Sequence, residues 1–236
     1  MITAKPEAEA TSTPRRPSPY DQETIDLVVD RVFPKIVDWL KQEEDPFEYP
    51  PYYVEAYNKR GEEVPQEVKD EYRQKEVDSI KKALGKAFKS AGPYGDGYEI
   101  AKELERDYFE GNRELVDILD DVSHYFYEEN RKIVTQWAKE HNPEQRFNVG
   151  DTAYISKERY FGGNVNWSPR FDEDNPGIVK KVNPETAEYT IQTKQQEEKE
   201  RKFKLGTSSE CSSGYIVKFE NAFTEEEYQS ITNESK

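Results

Sequence analysis

Cysteine, histidine and methionine are nearly missing. Cys211 is the single cysteine, His124 and His141 are the two histidines, and Met1 is the single methionine. One thiol excludes a disulfide scaffold, and one cysteine with two histidines leaves too few ligands for a zinc centre. Long apolar runs are missing too. No stretch approaches the roughly eighteen residues of a membrane-spanning helix, so no membrane span is expected. There is no Walker A loop and no G-x-G-x-x-G. Gly92, Gly95 and Gly97 follow no strand and read as a turn rather than a phosphate cradle. The first residues lack the apolar core of a secretory signal. With that and an unpaired thiol, the expected setting is a reducing, intracellular compartment. Hydrophobic residues make up 33% of the 236-residue chain against 35% charged, and mean hydropathy is −1.09.

What is present in quantity is aromatic and acidic. Aromatics reach 13%, with 16 Tyr, 11 Phe and 3 Trp, which keeps the chain out of the disordered class. There are 34 Lys and Arg against 49 Asp and Glu, a net −15. A nucleic-acid binder usually carries the opposite sign. The acidity is uneven: residues 147–236 hold 12 basic and 16 acidic residues, and residues 1–146 hold 22 and 33. Such a balance favours solubility and steers basic partners toward the chain.

The length fits one large or two small domains. Residues 1–19 are rich in Thr, Ser, Pro, Ala, Glu and Arg and read as a flexible arm. Ser18, Pro19 and Asp21 suit a helix start. Ile25, Val28, Val29, Val32, Phe33, Ile36, Val37 and Leu40 then recur at helical spacing, with Pro34 expected to kink or break the helix. Residues 45–65 carry Pro46, Pro50 and Pro51 and read as a loop draping aromatics over the helices. Pro65 opens a second helix to about Ser90, with Lys81, Lys82, Lys86 and Lys89 near its end, where cations complement the dipole. A third helix is expected from about Tyr98 to Glu110. A fourth is expected from Arg113 to His141, about 43 Å if continuous. Residues 20–143 thus read as an acidic helical bundle.

After Pro143 the period changes to two. Strands are expected at Asp151–Ser156, Gly177–Val182, Ala187–Thr193 and near Tyr215–Phe219, with a turn at Asn183–Thr186. Residues 157–176 and 194–213 read as two long loops. Thr224 with Glu227 forms a capping box for a short last helix, and residues 232–236 read as a tail. Phe147-Asn148-Val149-Gly150-Asp151, then Gly177-Ile178-Val179-Lys180-Lys181-Val182, then Tyr215-Ile216-Val217-Lys218-Phe219, resemble an SH3-like barrel of the Tudor, KOW or photosystem-docking-subunit kind. The resemblance covers about residues 147–230 of a domain expected at 147–231, and it implies binding of proteins or nucleic acids through loops at one edge. The fold class expected is therefore α+β, an N-terminal helical bundle followed by an SH3-like small barrel.

Catalytic sets are sparse. Asp121 and His124 are one helical turn apart, as in a carboxylate-bridged metal helix, but no second such pair exists. Glu103, Asp107 and Glu110, and Asp117, Asp120 and Asp121, could do acid–base work or imitate phosphates, though helix carboxylates are usually just solvated. Cys211 lies among serines beside Glu210, with no nearby cation implied that would activate it. Pro50-Pro51-Tyr52-Tyr53 matches the short proline motif that WW domains read, and aromatic cover for the helices is the alternative. Gly85, beside the four lysines, reads as a packing glycine or as part of a face for an anionic partner. The favoured partner-binding residues are Arg159, Tyr160, Phe161, Trp167, Arg170 and Phe171, the residue types of interface hot spots.

The function expected is a non-enzymatic adaptor or assembly subunit that binds other proteins, with no catalytic residues, metal or cofactor. A second reading is an acidic decoy, such as a virus would encode, that blocks a basic nucleic-acid-binding protein. A third is nucleic-acid binding by the barrel through Lys180, Lys181, Lys202, Lys204 and Lys218, which the net charge opposes.

Overall fold

A computed structural model describes residues 14–42, 46–107, 111–155, 176–207 and 214–234. The chain is α+β, with most helices in its first part and an antiparallel sheet in its second. It divides into two compact units, Arg16–Val134 and the segment from Thr135 onward with Arg15 and the residues before it. No helix among the described residues is long and apolar enough to cross a membrane.

In the helical unit, α1 spans Gln22–Leu40 and buries Val28, Val32 and Ile36 at helical spacing. It starts after a turn, not at Pro19. The Ser18 carbonyl accepts the Asp21 N–H at 3.0 Å, and the Asp21 carboxylate accepts the Ser18 N–H at 2.7 Å. Pro34 does not break the helix. It sits on the exposed side, where water can serve the carbonyl it strands, and the buried residues on either side hold the helix together.

The stretch expected to be a loop contains a helix, α2, Pro51–Asn58. Pro50 holds the extended position before it and Pro51 takes the first helical position, where a missing N–H costs nothing. The helix ends as the Glu62 N–H reaches back to the Tyr57 carbonyl at 3.1 Å, with Gly61 at φ +72°. That bond and that left-handed residue reverse the chain. Helix α3, Gln66–Ala91, follows; its buried residues, Ile80, Ala83, Leu84, Ala87 and Phe88, all lie in its second half.

Helix α4 is Gly97–Glu105, α5 is Arg113–Leu119 and α6 is Val122–His141. The long fourth helix expected from the sequence is thus two. The cause is tertiary: the start of α4 is packed into the joint. The Gly97 N–H donates to the Asp120 carboxylate at 3.0 Å. A methyl group on Gly97 would collide with that carboxylate and with the Val116 carbonyl. Asp96 caps α4 through the Glu99 N–H, and Asn112 caps α5 through the Leu115 N–H, both at 2.8 Å. The core gathers Val28, Val32, Leu84, Leu104 and Leu115, and Phe88 meets Phe126 edge-on at 6.0 Å. On the rim Arg31 bonds Glu128 and Glu129 at 2.6 and 3.0 Å and lies 4.0 Å over the Tyr125 ring. The hydrogen bond from Arg31 holds the Glu128 carboxyl below its ordinary range.

In the second unit the strands are β1 Thr152–Ile155, β2 Gly177–Asn183, β3 Glu188–Thr193, β4 Tyr215–Lys218 and β5 Ala222–Phe223. Their order is β4-β3-β2-β1-β5, and every pairing is antiparallel. The sheet is open, with β4 and β5 as its outer strands, and the described residues do not close it into a barrel. A single 3-10 turn, Phe219–Asn221, separates β4 from β5. Alternation holds: Ala153, Ile155, Val179, Tyr189, Ile191 and Val217 are buried on one face. Tyr189 is central. Its hydroxyl accepts the Arg146 and Phe147 N–H groups at 2.9 and 3.1 Å, and its ring stacks on Phe219 at 4.4 Å.

Two helices frame this sheet. Helix α7, Lys194–Lys204, stands where the sequence read a charged loop. It begins on the last residue of β3: Thr193 and Gln196 form a capping box. The last helix, α8, Glu225–Glu234, has the expected box, with the Thr224 N–H bonded to Glu227 at 3.0 Å.

Candidate protein-binding surface

The hot-spot residues favoured by the sequence, Arg159, Tyr160, Phe161, Trp167, Arg170 and Phe171, lie outside the described residues, as does Cys211. The other candidates can be placed. His124 is exposed and faces Glu128 at 3.1 Å, one turn along α6. Asp121 instead accepts the Tyr125 hydroxyl at 3.1 Å. Glu103 bonds Arg106 and Ser90, Asp107 bonds Lys86, and Asp120 serves the start of α4. Those carboxylates are engaged in holding helices, and no metal-binding cluster of His, Cys, Asp and Glu occurs among the described residues. Of the lysines proposed for nucleic acid, Lys180, Lys202 and Lys204 stand beside Glu197, Glu198 and Glu200 of α7 at 3.6, 2.9 and 2.5 Å.

The segment at Pro50–Tyr53 is different. Its tyrosine sits in a helical turn, with the Tyr53 N–H bonded to the Pro50 carbonyl at 3.0 Å. WW domains read an extended proline segment, whereas Pro51 here is already the first residue of α2. The stretch builds an aromatic array instead. Tyr49 meets Tyr72 of α3 edge-on at 5.3 Å and 82°, Tyr49 meets Tyr53 at 5.6 Å, and Tyr53 meets Tyr52 at 4.2 Å. The geometries are tilted or edge-on, as ring quadrupoles prefer.

The array has an anchored end and an open end. Phe47 packs against the helical core and lies near Lys41 and Arg73 at 5.9 and 6.0 Å. Tyr49 and Tyr72 are half-buried. Tyr52 and Tyr53 are 64% and 46% exposed, and α2 buries none of its residues. The sequence expectation of an aromatic cover is met by Phe47 and not by these two. Burial raises the Tyr49 phenol above its ordinary range, and a side-chain hydrogen bond with Tyr53 raises Tyr52. The open end of the array is aromatic, with hydroxyl tips, inside a strongly acidic sequence. The proline and tyrosine density was visible in the sequence. The pairing of Tyr49 with Tyr72 was not, because it depends on how α3 returns past α2.

No family model matches the chain, and neither a curated protein nor a solved structure matches it.

Proposed function

We propose that this chain is a non-enzymatic adaptor that holds another protein against its helical unit. The observation that carries the reading is the open tyrosine array of Tyr49, Tyr52, Tyr53 and Tyr72. Tyrosine gives large, rigid contact area for little loss of side-chain freedom, which is why it concentrates in binding surfaces. Two such rings lie open side by side on a helix that contributes nothing to its own core. That arrangement adds little to stability and suits recognition.

We read the helical unit as a bundle and the second unit as an SH3-like domain. The strand order supports the latter: β4 and β5 are the strands a closed barrel would join.

The test uses the full chain as bait in a lysate of its source, at low and high salt, beside a Tyr52→Ser/Tyr53→Ser variant. The expected partner stays on the wild type at high salt and is lost from the variant. Capture that vanishes at high salt from both baits alike would place binding on charge and favour the decoy reading. A turnover abolished by one carboxylate substitution would remove the adaptor reading.

A further inference from the structure

The helical unit carries a second surface, apart from the tyrosine array. Helices α1 and α3 run antiparallel, with Val29 and Ile25 facing Gly85. Between them lies an open groove of about 780 Å³. Val29 and Gly85 lie between its two rims. One rim is Lys82, Lys86 and Lys89 of α3, spaced one turn apart over about 10 Å. The other rim is Gln22, Asp26 and Asp30 of α1.

Three features set this groove apart. Glycine in a helix interior is unfavourable by about 1 kcal/mol relative to alanine. Here no close packing demands it: an added Cβ would sit 3.9 Å from Val29 and 4.0 Å from Ile25, ordinary contact distances. The sequence reading of Gly85 as a packing glycine is thereby corrected. Its effect is to leave the groove without a side chain at its middle. Second, the charge is out of keeping with its surroundings. Residues 16–134 hold 18 Lys and Arg against 29 Asp and Glu, whereas Lys81–Ser90 has four lysines and no carboxylate. Third, part of that charge is uncommitted. Lys81 is tied to Asp30 at 2.7 Å and Lys86 to Asp107 at 2.8 Å. Lys82 and Lys89 make no ion pair among the described residues. On the opposite rim Asp30 is neutralised by Lys81, while Asp26 accepts a hydrogen bond from Gln22 at 2.8 Å and keeps its charge, so the lysine row is the cationic side of the groove.

We infer that this groove receives an acidic amphipathic helix of a partner protein. A helix laid between α1 and α3 meets no side chain at Gly85, so its backbone comes close there and small apolar residues fill the floor. Carboxylates two turns apart on its flank then meet Lys82 and Lys89 in register, the two lysines of the row that no acid already holds. A basic helix would face the same row with like charge. The site is distinct from Tyr52 and Tyr53, so it stands or falls independently of the adaptor's aromatic contact.

The probe is a fluorescent twenty-residue helical peptide (about 30 Å long) with an Ala/Leu stripe flanked by glutamates. Its counterpart has every glutamate replaced by lysine. Anisotropy is read with the full-length protein. The acidic peptide is expected to bind at least tenfold tighter than the basic one and to weaken as salt rises. Gly85→Leu fills the floor and is expected to weaken it tenfold or more. Lys82→Glu/Lys89→Glu is expected to do the same, and Tyr52→Ser/Tyr53→Ser to change nothing. Circular dichroism melts confirm that each variant folds, and amide chemical shifts place the peptide at Val29, Gly85 and Ser90. No binding, equal binding of both peptides, or binding unaffected by Gly85→Leu and by the lysine reversals would overturn the inference. Shift changes confined to other surfaces would also overturn it.

Discussion

Gly85 and Gly97 present opposite surroundings to a methyl group. At Gly85 the space is open and the neighbours lie at contact distance; at Gly97 the space is filled by the Asp120 carboxylate and the Val116 carbonyl. Gly85→Ala should therefore stabilise the protein by about 1 kcal/mol, through helix propensity alone. The thermal midpoint should rise by about 2–4 °C for a chain of this size. Gly97→Ala should cost about 1–3 kcal/mol, because α4 must back away from the α5–α6 joint. Denaturant titration of both variants checks the pair, and a destabilised Gly85→Ala would mean that the groove has no room for a methyl group. The two glycines look alike in the sequence. Nothing local distinguishes a glycine that keeps space open from one that lets two helices touch.

At the scale of elements, legibility followed the source of stability. Helix α1, the second half of α3 and strands β1 to β4 bury an apolar stripe or an alternating face, and periodicity revealed them. Helix α7 buries little beyond Gln196. Its support is its capping box and the pairs Glu198–Lys202 and Glu200–Lys204, so its sequence reads as a charge run. Helix α2 escaped because three prolines argue against a helix unless one of them opens it. The break between α5 and α6 was set by Gly97, a residue far from it in sequence. The candidate surface divides the same way: its tyrosines were visible and their assembly was not.

Helix α8 offers a pH test at this scale. The Thr224 N–H and then Arg146, at 2.6 Å, hold the Glu227 carboxyl below its ordinary range. A carboxyl with a lowered folded pKa contributes fully above its unfolded value, about 4.3. That contribution is lost as pH falls through the lowered folded value. Glu227→Gln should therefore be less stable than wild type at pH 7. The gap should persist down to about pH 5 and narrow below about pH 4. Denaturant midpoints across that range decide it; a gap independent of pH would assign Glu227 a purely neutral hydrogen-bonding role.

At the scale of the whole molecule, charge dominates. The chain carries a net −15, and among the described residues most ion pairs are exposed and individually weak. Screening should relieve more repulsion than it removes attraction. The thermal midpoint should rise as salt increases from very low to physiological ionic strength. A midpoint that falls instead would show the exposed pairs to be worth more than their geometry suggests. The same imbalance frames the adaptor reading. On the proposed readings, the tyrosine array and the lysine row would be two chemically different contacts on the same helical unit.

Helix α2 has a kinetic consequence. A helix with no buried residue is released by the smallest local opening, without disturbing the core it stands on. Its amides should exchange with deuterium among the earliest in the helical unit, while those of Val28, Leu84 and Phe88 exchange among the last. A protein seated on Tyr52 and Tyr53 would close that opening. The contact would then be written as slowed exchange over Pro51–Asn58, legible in a mass spectrum before the partner has a name.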